Sequence, residues 1–465
     1  MKLKIYNTMT RQKEEFIPLI EDSNYTPKKD FVIYSCPTVY RDPHINMRAF
    51  AFADILRNTI KNVLYPVKHV MNLTDVHLTD DGDSEDKMEK AKRENKTVRQ
   101  LADLYINKFY QYLDSLKIEK FDIFCRATDN IQEQIDMIKT LEQKYVYEIP
   151  DGIYMDTSKI DDYGKLSLKN QSIRAARIQN DNKKNPTDFS LRKFAKEEKR
   201  QMERDSPRVG FPGRHIECSA MSSKYLGEQF DIHTGVDHIV HHTNEIAQSE
   251  CAFGHKPWVK YRMHNQFLNL KKLSKSAGLV TVEDLEEKYS GLDLKMLYYT
   301  AHYRSFLDFN DDVLDQARQQ RQNIIKKLYQ LEYSKYSVES YIELESKLTT
   351  LEKTFFNNSL DAILDDLNTP KLLAEINKAL HNPINEIVSI IYRLDQNLLK
   401  LDLFDFSSLE DKKSFDIPED IKQLAQLRFE AKQNKDWATA DKIRDKLKLK
   451  WNILDLPDGF KIEHL

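Results

Sequence analysis

The chain has 465 residues, of which 31% are charged and 40% hydrophobic, with a formal net charge of -3. This length suggests roughly three domains at about 150 residues each, and the balance fits an ordinary soluble protein. A charge so near zero excludes a global basic field, so any nucleic-acid contact must use local patches. No apolar run approaches the roughly 20 residues that span a bilayer. Met1 to Thr10 carries charges but no apolar core, so neither a membrane partner nor a secretory signal is expected. Cys36, Cys125, Cys218 and Cys251 are too dispersed for a disulfide framework. They predict a reducing, cytoplasmic setting that leaves thiols free to bind metal.

In chain order, Phe31 to Cys36 reads as a short buried strand. Met47 to Leu64 has helical spacing, with Ala49, Ala53, Leu56 and Ile60 on one face. Val67 to Leu73 reads as a second strand, giving a strand-helix-strand unit and hence a parallel sheet. Asp80 to Asn95 is an expected exposed loop, and Val98 to Leu116 an amphipathic helix. Residues 1–119 form the first part of the expected α/β domain. Residues 120–204, with their polar and basic run Lys165 to Lys184, read as an insertion into it. Residues 205–305 resume the domain, with strand-like pieces near Phe230 to Val240 and Val259 to Leu268. Leu, Ile, Lys and Glu then recur at helical spacing, which predicts a helical bundle over 306–410 and a small terminal module over 411–465.

The chemistry-bearing residues fall into a few clusters. In His241-His242-Thr243-Asn244-Glu245, His241 and Glu245 stand four apart, so a helix would present both on one face. Imidazole and carboxylate both bind zinc well, although a polar helix start with solvated histidines has the same pattern. Cys36 and Cys218 are candidate partners, or alternatively buried structural thiols. Lys272-Leu273-Ser274-Lys275-Ser276 pairs cations with hydroxyls and would suit nucleotide phosphates. His44-Ile45-Asn46 after the first strand is a weaker signal of the same kind. Residues 421–450 carry nine Lys or Arg against four Asp or Glu, with Trp437 among them. Such a stripe suits stacking on an unpaired base; a core-anchoring tryptophan on a solvated helix is the commoner arrangement.

Taken together, Tyr6-Asn7-Thr8, Cys36-Pro37-Thr38-Val39-Tyr40, Asn72-Leu73-Thr74-Asp75, His215 to Met221, Asp231-Ile232-His233, His241 to Gln248 and Lys272 to Ser276 resemble, in order, the cysteinyl-tRNA synthetases. The resemblance extends to Lys435-Asp436-Trp437-Ala438 near the end. It implies a class I catalytic domain of Rossmann type, a connective insertion and a helical anticodon-binding domain. It also implies Zn²⁺ held by Cys36, Cys218, His241 and Glu245. Thr74, Arg214, His233 and Asp237 match substrate-pocket positions; His44, Lys272 and Lys275 match the residues that handle ATP and its Mg²⁺-bound phosphates. Trp437 would face tRNA. The implied partners are L-cysteine, ATP and tRNA(Cys), and a monomer is expected. A cysteine ligase acting on an amino sugar, or an inactive tRNA-binding paralogue, is the alternative. The long tail speaks against the first.

The chain departs from that family pattern selectively. Only 11 glycines occur in 465 residues, where a typical share is about 7%. Family glycines are missing between Cys36 and Pro37, between Ile45 and Asn46, between Val76 and His77, and beside Gly235. Arg192, Arg204, Arg208, Arg214 and Arg262 stand where similar chains carry tryptophan. Random decay would not select these two residue types. The pattern predicts a standard-code reading of a gene in which a stop codon means glycine and an arginine codon means tryptophan.

Overall fold

Five short strands with apolar interiors set the frame, because a sheet buried on both faces needs near-continuous hydrophobic runs. The computed structural model describes residues 2–21, 31–35, 47–75, 96–167, 182–194, 210–236, 239–266, 268–270, 285, 286, 288–331, 348–381, 385–407, 409, 418–447, 451–456 and 459–464. A hairpin of β1 (Lys4–Asn7) and β2 (Gln12–Glu15) opens the chain. Then come β3 (Phe31–Ser35), helix α1 (Arg48–Val63), β4 (Val67–Leu73), α2 (Val98–Ser115) and β5 (Ile123–Arg126). Thr97 and Gln100 close a capping box on α2, with each side chain meeting the other's backbone amide.

Helix α3 (Ile131–Glu142) and an antiparallel sheet of β6 (Val146–Ile149), β7 (Gly152–Met155), β8 (Phe189–Phe194) and β9 (Gly210–Pro212) interrupt the parallel series. Met137, Ile138, Leu141, Met155 and Leu191 share a core with Ile216, Ala220 and Ala247, which come from the next two helices. These are α4 (Arg214–Leu226) and α5 (Ile239–Phe253), separated by β10 (Phe230–Val236). After them, β11 (Val259–Asn265) completes the central sheet.

The parallel sheet runs β11-β10-β3-β4-β5 in space. Chain order therefore reverses between β3 and β10. Open α/β sheets bind ligands beyond the carboxyl ends of their strands at such a switch point. Asp231 pins this junction, accepting from the backbone amides of Leu19 (2.5 Å) and Val32 (3.1 Å).

Strand β12 (Leu268–Leu270), α6 (Gly291–Tyr299), β13 (Leu307–Phe309) and α7 (Asp311–Tyr329) follow, then α8 (Thr350–Leu364), α9 (Thr369–Ala379) and α10 (Asn385–Leu394). The described residues of Met1–Gln322 and Tyr333–Asp402 form one compact unit. Two polar nodes tie its distant segments. Lys295 Nζ meets Asp54 Oδ2 at 2.9 Å between α6 and α1, both side chains fully buried. Asp366, between α8 and α9, accepts from the Tyr6 amide (2.8 Å), the Tyr303 hydroxyl (2.6 Å) and Arg304 Nε (2.9 Å).

The second unit holds Asn323–Glu332 and Leu403–Leu465. Its helices α11 (Glu419–Gln433) and α12 (Trp437–Leu447) bury Ala425, Ala431, Ala440 and Leu447. A hairpin of β14 (Trp451–Leu456) and β15 (Gly459–His464) ends the chain, with Phe429 and Phe460 ring centres 5.7 Å apart.

Most expected elements appear within a residue or two. The strand expected over Phe230 to Val240 is shorter: β10 ends at Val236, and Ile239 already lies in α5. The tail is also less uniformly helical than its spacing suggests. β13 pairs with β12, and the terminal hairpin flanks Pro457-Asp458-Gly459, a turn-forming sequence that punctuates two short alternating runs. The loop expected over Asp80 to Asn95 lies outside the described residues.

Candidate active site

Helix α5 starts just beyond the carboxyl end of β10, so its first turns stand at the switch point. His241 and Glu245 share one face of it, with His241 Nε2 3.0 Å from Glu245 Oε1. The facing helix α4 brings Cys218 Sγ to 3.9 Å from His241 Nε2. All three ligand atoms lie within 4.8 Å of one another. Two contacts hold the helices in this alignment: Asn244 Nδ2 with His215 Nε2 at 3.0 Å, and Ser219 Oγ donating to Gln248 Oε1 at 3.0 Å.

A thiol, an imidazole and a carboxylate so spaced fit a metal. Ligand atoms about 2.0–2.3 Å from a tetrahedral zinc are about 3.3–3.8 Å from one another. Both Glu245 oxygens are buried, with only His241 at 3.0 Å, His233 at 3.3 Å and Arg262 at 3.6 Å as basic neighbours among the described residues. That is costly for a carboxylate unless a cation completes it. Burial would raise the Glu245 carboxyl, but the neighbouring His233, His241 and Arg262 outweigh it and hold the group well below the usual carboxylate range. Cys36 follows the last residue of β3 directly in the sequence and lies outside the described residues.

Around this trio lies a second layer. His233, fully buried on β10, stands 3.3 Å from Glu245 Oε2. Burial, with the nearby Arg262, pushes its imidazole well below its usual value, while Glu245 pulls it the other way. His242 Nδ1 pairs with His264 Nε2 at 2.5 Å, and His264 Nδ1 with Thr8 Oγ1 at 2.9 Å. His233, His242 and Glu245 could also surround a cation. That trio lacks a thiolate, however, and His242 is already engaged by His264. The His242 ring packs so closely on β10 that a Cβ at Gly235 would meet its Cε1 at 2.4 Å. Only glycine permits that approach.

Thr74, expected in the substrate pocket, is buried just past β4, and Asn72 Nδ2 lies 3.4 Å from its hydroxyl. Arg214 opens α4. His44, Asp237, Lys272 and Lys275 lie outside the described residues, as do Arg204 and Arg208. Trp437 is 59% exposed at the start of α12, so the core-anchor reading of it fails.

The sequence reading missed two contacts. One is Asn72, whose Nδ2 is 3.5 Å from Cys218 Sγ; it stands two residues before Thr74, which lies just past the strand end within its reach. The other is the setting of Arg262 on β11. Its guanidinium is wholly buried, 4.8 Å from the Trp258 ring centre and 3.6 Å from Glu245 Oε2. None of its three guanidinium nitrogens has a hydrogen-bond partner among the described residues.

Comparison with known proteins bears on the same residues. Residues 23–319 match the family model described as the tRNA synthetases class I (C) catalytic domain. A cysteine–tRNA ligase of Treponema denticola is 42% identical, covering 96% of each chain. Cysteine–tRNA ligase 1 of Burkholderia lata is 39% identical over 99% of this chain and 97% of its own. In fold, the chain is similar to the methionyl-tRNA synthetase of Mycobacterium tuberculosis solved with methionyl-adenylate, with a TM-score of 0.55, 11% identity, and coverage of 82% of this chain and 94% of that one. These matches include the sheet, helices α4 and α5 and the tail, and the chain belongs to the cysteine–tRNA ligase family of class I aminoacyl-tRNA synthetases.

Proposed function

We propose that this chain activates L-cysteine with ATP to cysteinyl-adenylate and transfers it to tRNA(Cys), with Zn²⁺ held by Cys36, Cys218, His241 and Glu245. The observation that carries the metal reading is the convergence of Cys218, His241 and Glu245 at the sheet's switch point. When bound there, zinc supplies strong affinity for a thiolate and little for a neutral hydroxyl. That preference answers the selectivity problem, since an apolar pocket separates near-isosteres by only about 1–3 kcal/mol.

The protein's own groups do the rest. His233 and Thr74 line the pocket on the β10 and β4 sides, and Arg214 and Asp237 complete the proposed substrate contacts. Attack of the cysteine carboxylate on the α-phosphorus of ATP expels pyrophosphate. His44, Lys272 and Lys275 would position the Mg²⁺-bound phosphates and offset their growing charge. The helical tail would hold tRNA, with the exposed Trp437 and its basic surroundings meeting an unpaired base. An amino-sugar ligase would have no use for that surface. The reading sets the enzyme in the cytoplasm, where thiols stay reduced.

The test is zinc content and cysteine-dependent ATP–pyrophosphate exchange in the full chain and in Cys218→Ser. The full chain should retain zinc through dialysis and the variant should lose it together with exchange. Equal zinc retention by both proteins would overturn the metal assignment, and exchange without dependence on cysteine would overturn the substrate.

A further inference from the structure

Asn72 is fully buried at the next-to-last position of β4. Strand alternation puts Lys68 and Asn72 on one face, and Thr74 just past the strand end lies within reach of Asn72. That face meets α4, since Lys68 Nζ donates to the carbonyl of Tyr225 at 2.9 Å. On it, Asn72 Nδ2 points at two atoms: Cys218 Sγ at 3.5 Å and Thr74 Oγ1 at 3.4 Å. Sulfur is larger than oxygen, so a bond to it exceeds the roughly 2.9 Å of N–H···O. A metal-binding thiolate only accepts, and an amide nitrogen only donates. Turning the amide over would set an oxygen against the sulfur, so the contact fixes its orientation.

We propose that Asn72 is a positioning residue of the metal centre, donating an N–H···S hydrogen bond to Cys218 and linking that sulfur to Thr74 in the substrate pocket. The proposal rests on the reading of Cys218 as a metal ligand. The bond does two things. It holds the sulfur on the side where His241 and Glu245 converge, so less order must be imposed when the ion arrives. It also withdraws electron density from the thiolate and leaves the ion more electron-poor toward the incoming substrate sulfur. Groups that hold a ligand from behind typically contribute 10–100-fold to metal affinity.

The experiment uses the full chain with Zn²⁺, and with Co²⁺ as a spectroscopic probe, in the parent, Asn72→Leu, Asn72→Ser and Cys218→Ser. Leucine keeps the shape without the donor; serine is too short to reach the sulfur and disturbs packing differently. In both Asn72 variants, zinc affinity measured against a competing chelator should fall about 10–100-fold. The thiolate-to-cobalt charge-transfer band should move to longer wavelength, because an undamped sulfur is easier to oxidise. A merely structural role would not shift that band. A parent band lost in Cys218→Ser but unmoved in whichever Asn72 variants fold, with unchanged zinc affinity, overturns the role of Asn72 alone. A parent with no Cys218-dependent band overturns the metal reading and this proposal with it. Should neither Asn72 variant fold in the presence of zinc, the residue is a packing element and the proposal is rejected.

Discussion

Two basic side chains in the larger unit are wholly buried beside a carboxylate, and the fold treats them differently. Lys295 meets Asp54 at hydrogen-bond distance, 2.9 Å, between two helices away from the active site. Arg262 stays 3.6 Å from Glu245, and its guanidinium nitrogens find no hydrogen-bond partner among the described residues. Removing a charge from water is repaid only when geometry and hydrogen bonding are both good. Lys295 and Asp54 form a strut closed by one direct hydrogen bond, while Asp54 Oδ1 has no hydrogen-bond partner among the described residues. Glu245 is instead shared among His241 at 3.0 Å, His233 at 3.3 Å and Arg262, whose approach is the longest of the three.

The strut should be the more sensitive of the two. Lys295→Met strands Asp54 and should cost about 3–5 kcal/mol of stability, read from the midpoint of chemical denaturation. A loss below about 1 kcal/mol would erase the distinction. Arg262→Trp should act in the opposite sense, raising stability by about 1–3 kcal/mol by removing an unsatisfied buried cation and stacking on Trp258. A clear loss of stability would mean that the guanidinium is needed. The codon reassignment expected from the sequence pattern makes the same prediction, and under it peptide mass spectrometry of protein from its native source should show tryptophan at 262. The smallest effect belongs to Lys2 and Glu15, whose 2.8 Å contact is shorter than either buried one but exposed to water. Glu15→Gln should change stability by less than about 1 kcal/mol, and less still in high salt.

How far the sequence discloses this molecule depends on the range of the signal. The boundaries of α1, α2 and β4 followed from local periodicity, and the pairing of His241 with Glu245 from helix geometry alone. That Cys218 joins them was proposed through family resemblance, because nothing local links residues 23 positions apart on different helices. Asn72 was passed over since its partner lies 146 residues away. Arginine is seldom fully buried, so although Val259 to Leu268 read as a strand, its sequence did not disclose the wholly buried guanidinium of Arg262. Trp437 misled in the other direction: a tryptophan in a helix is usually packed, and this one faces solvent.

Asp366 bears on how the protein is made. The first strand of the molecule is held by a side chain that the ribosome adds 360 residues after Tyr6. Tyr303 and Arg304 converge on the same carboxylate. During synthesis, every strand of the parallel sheet emerges before Asp366, although Asn7 and Thr8 can already meet β11 through Lys260 and Arg262. The nascent chain must carry its amino-terminal segment without that clasp through most of translation. Protease protection of the first 20 residues should rise in two steps, first when β11 completes the central sheet and again once Asp366 has cleared the exit tunnel.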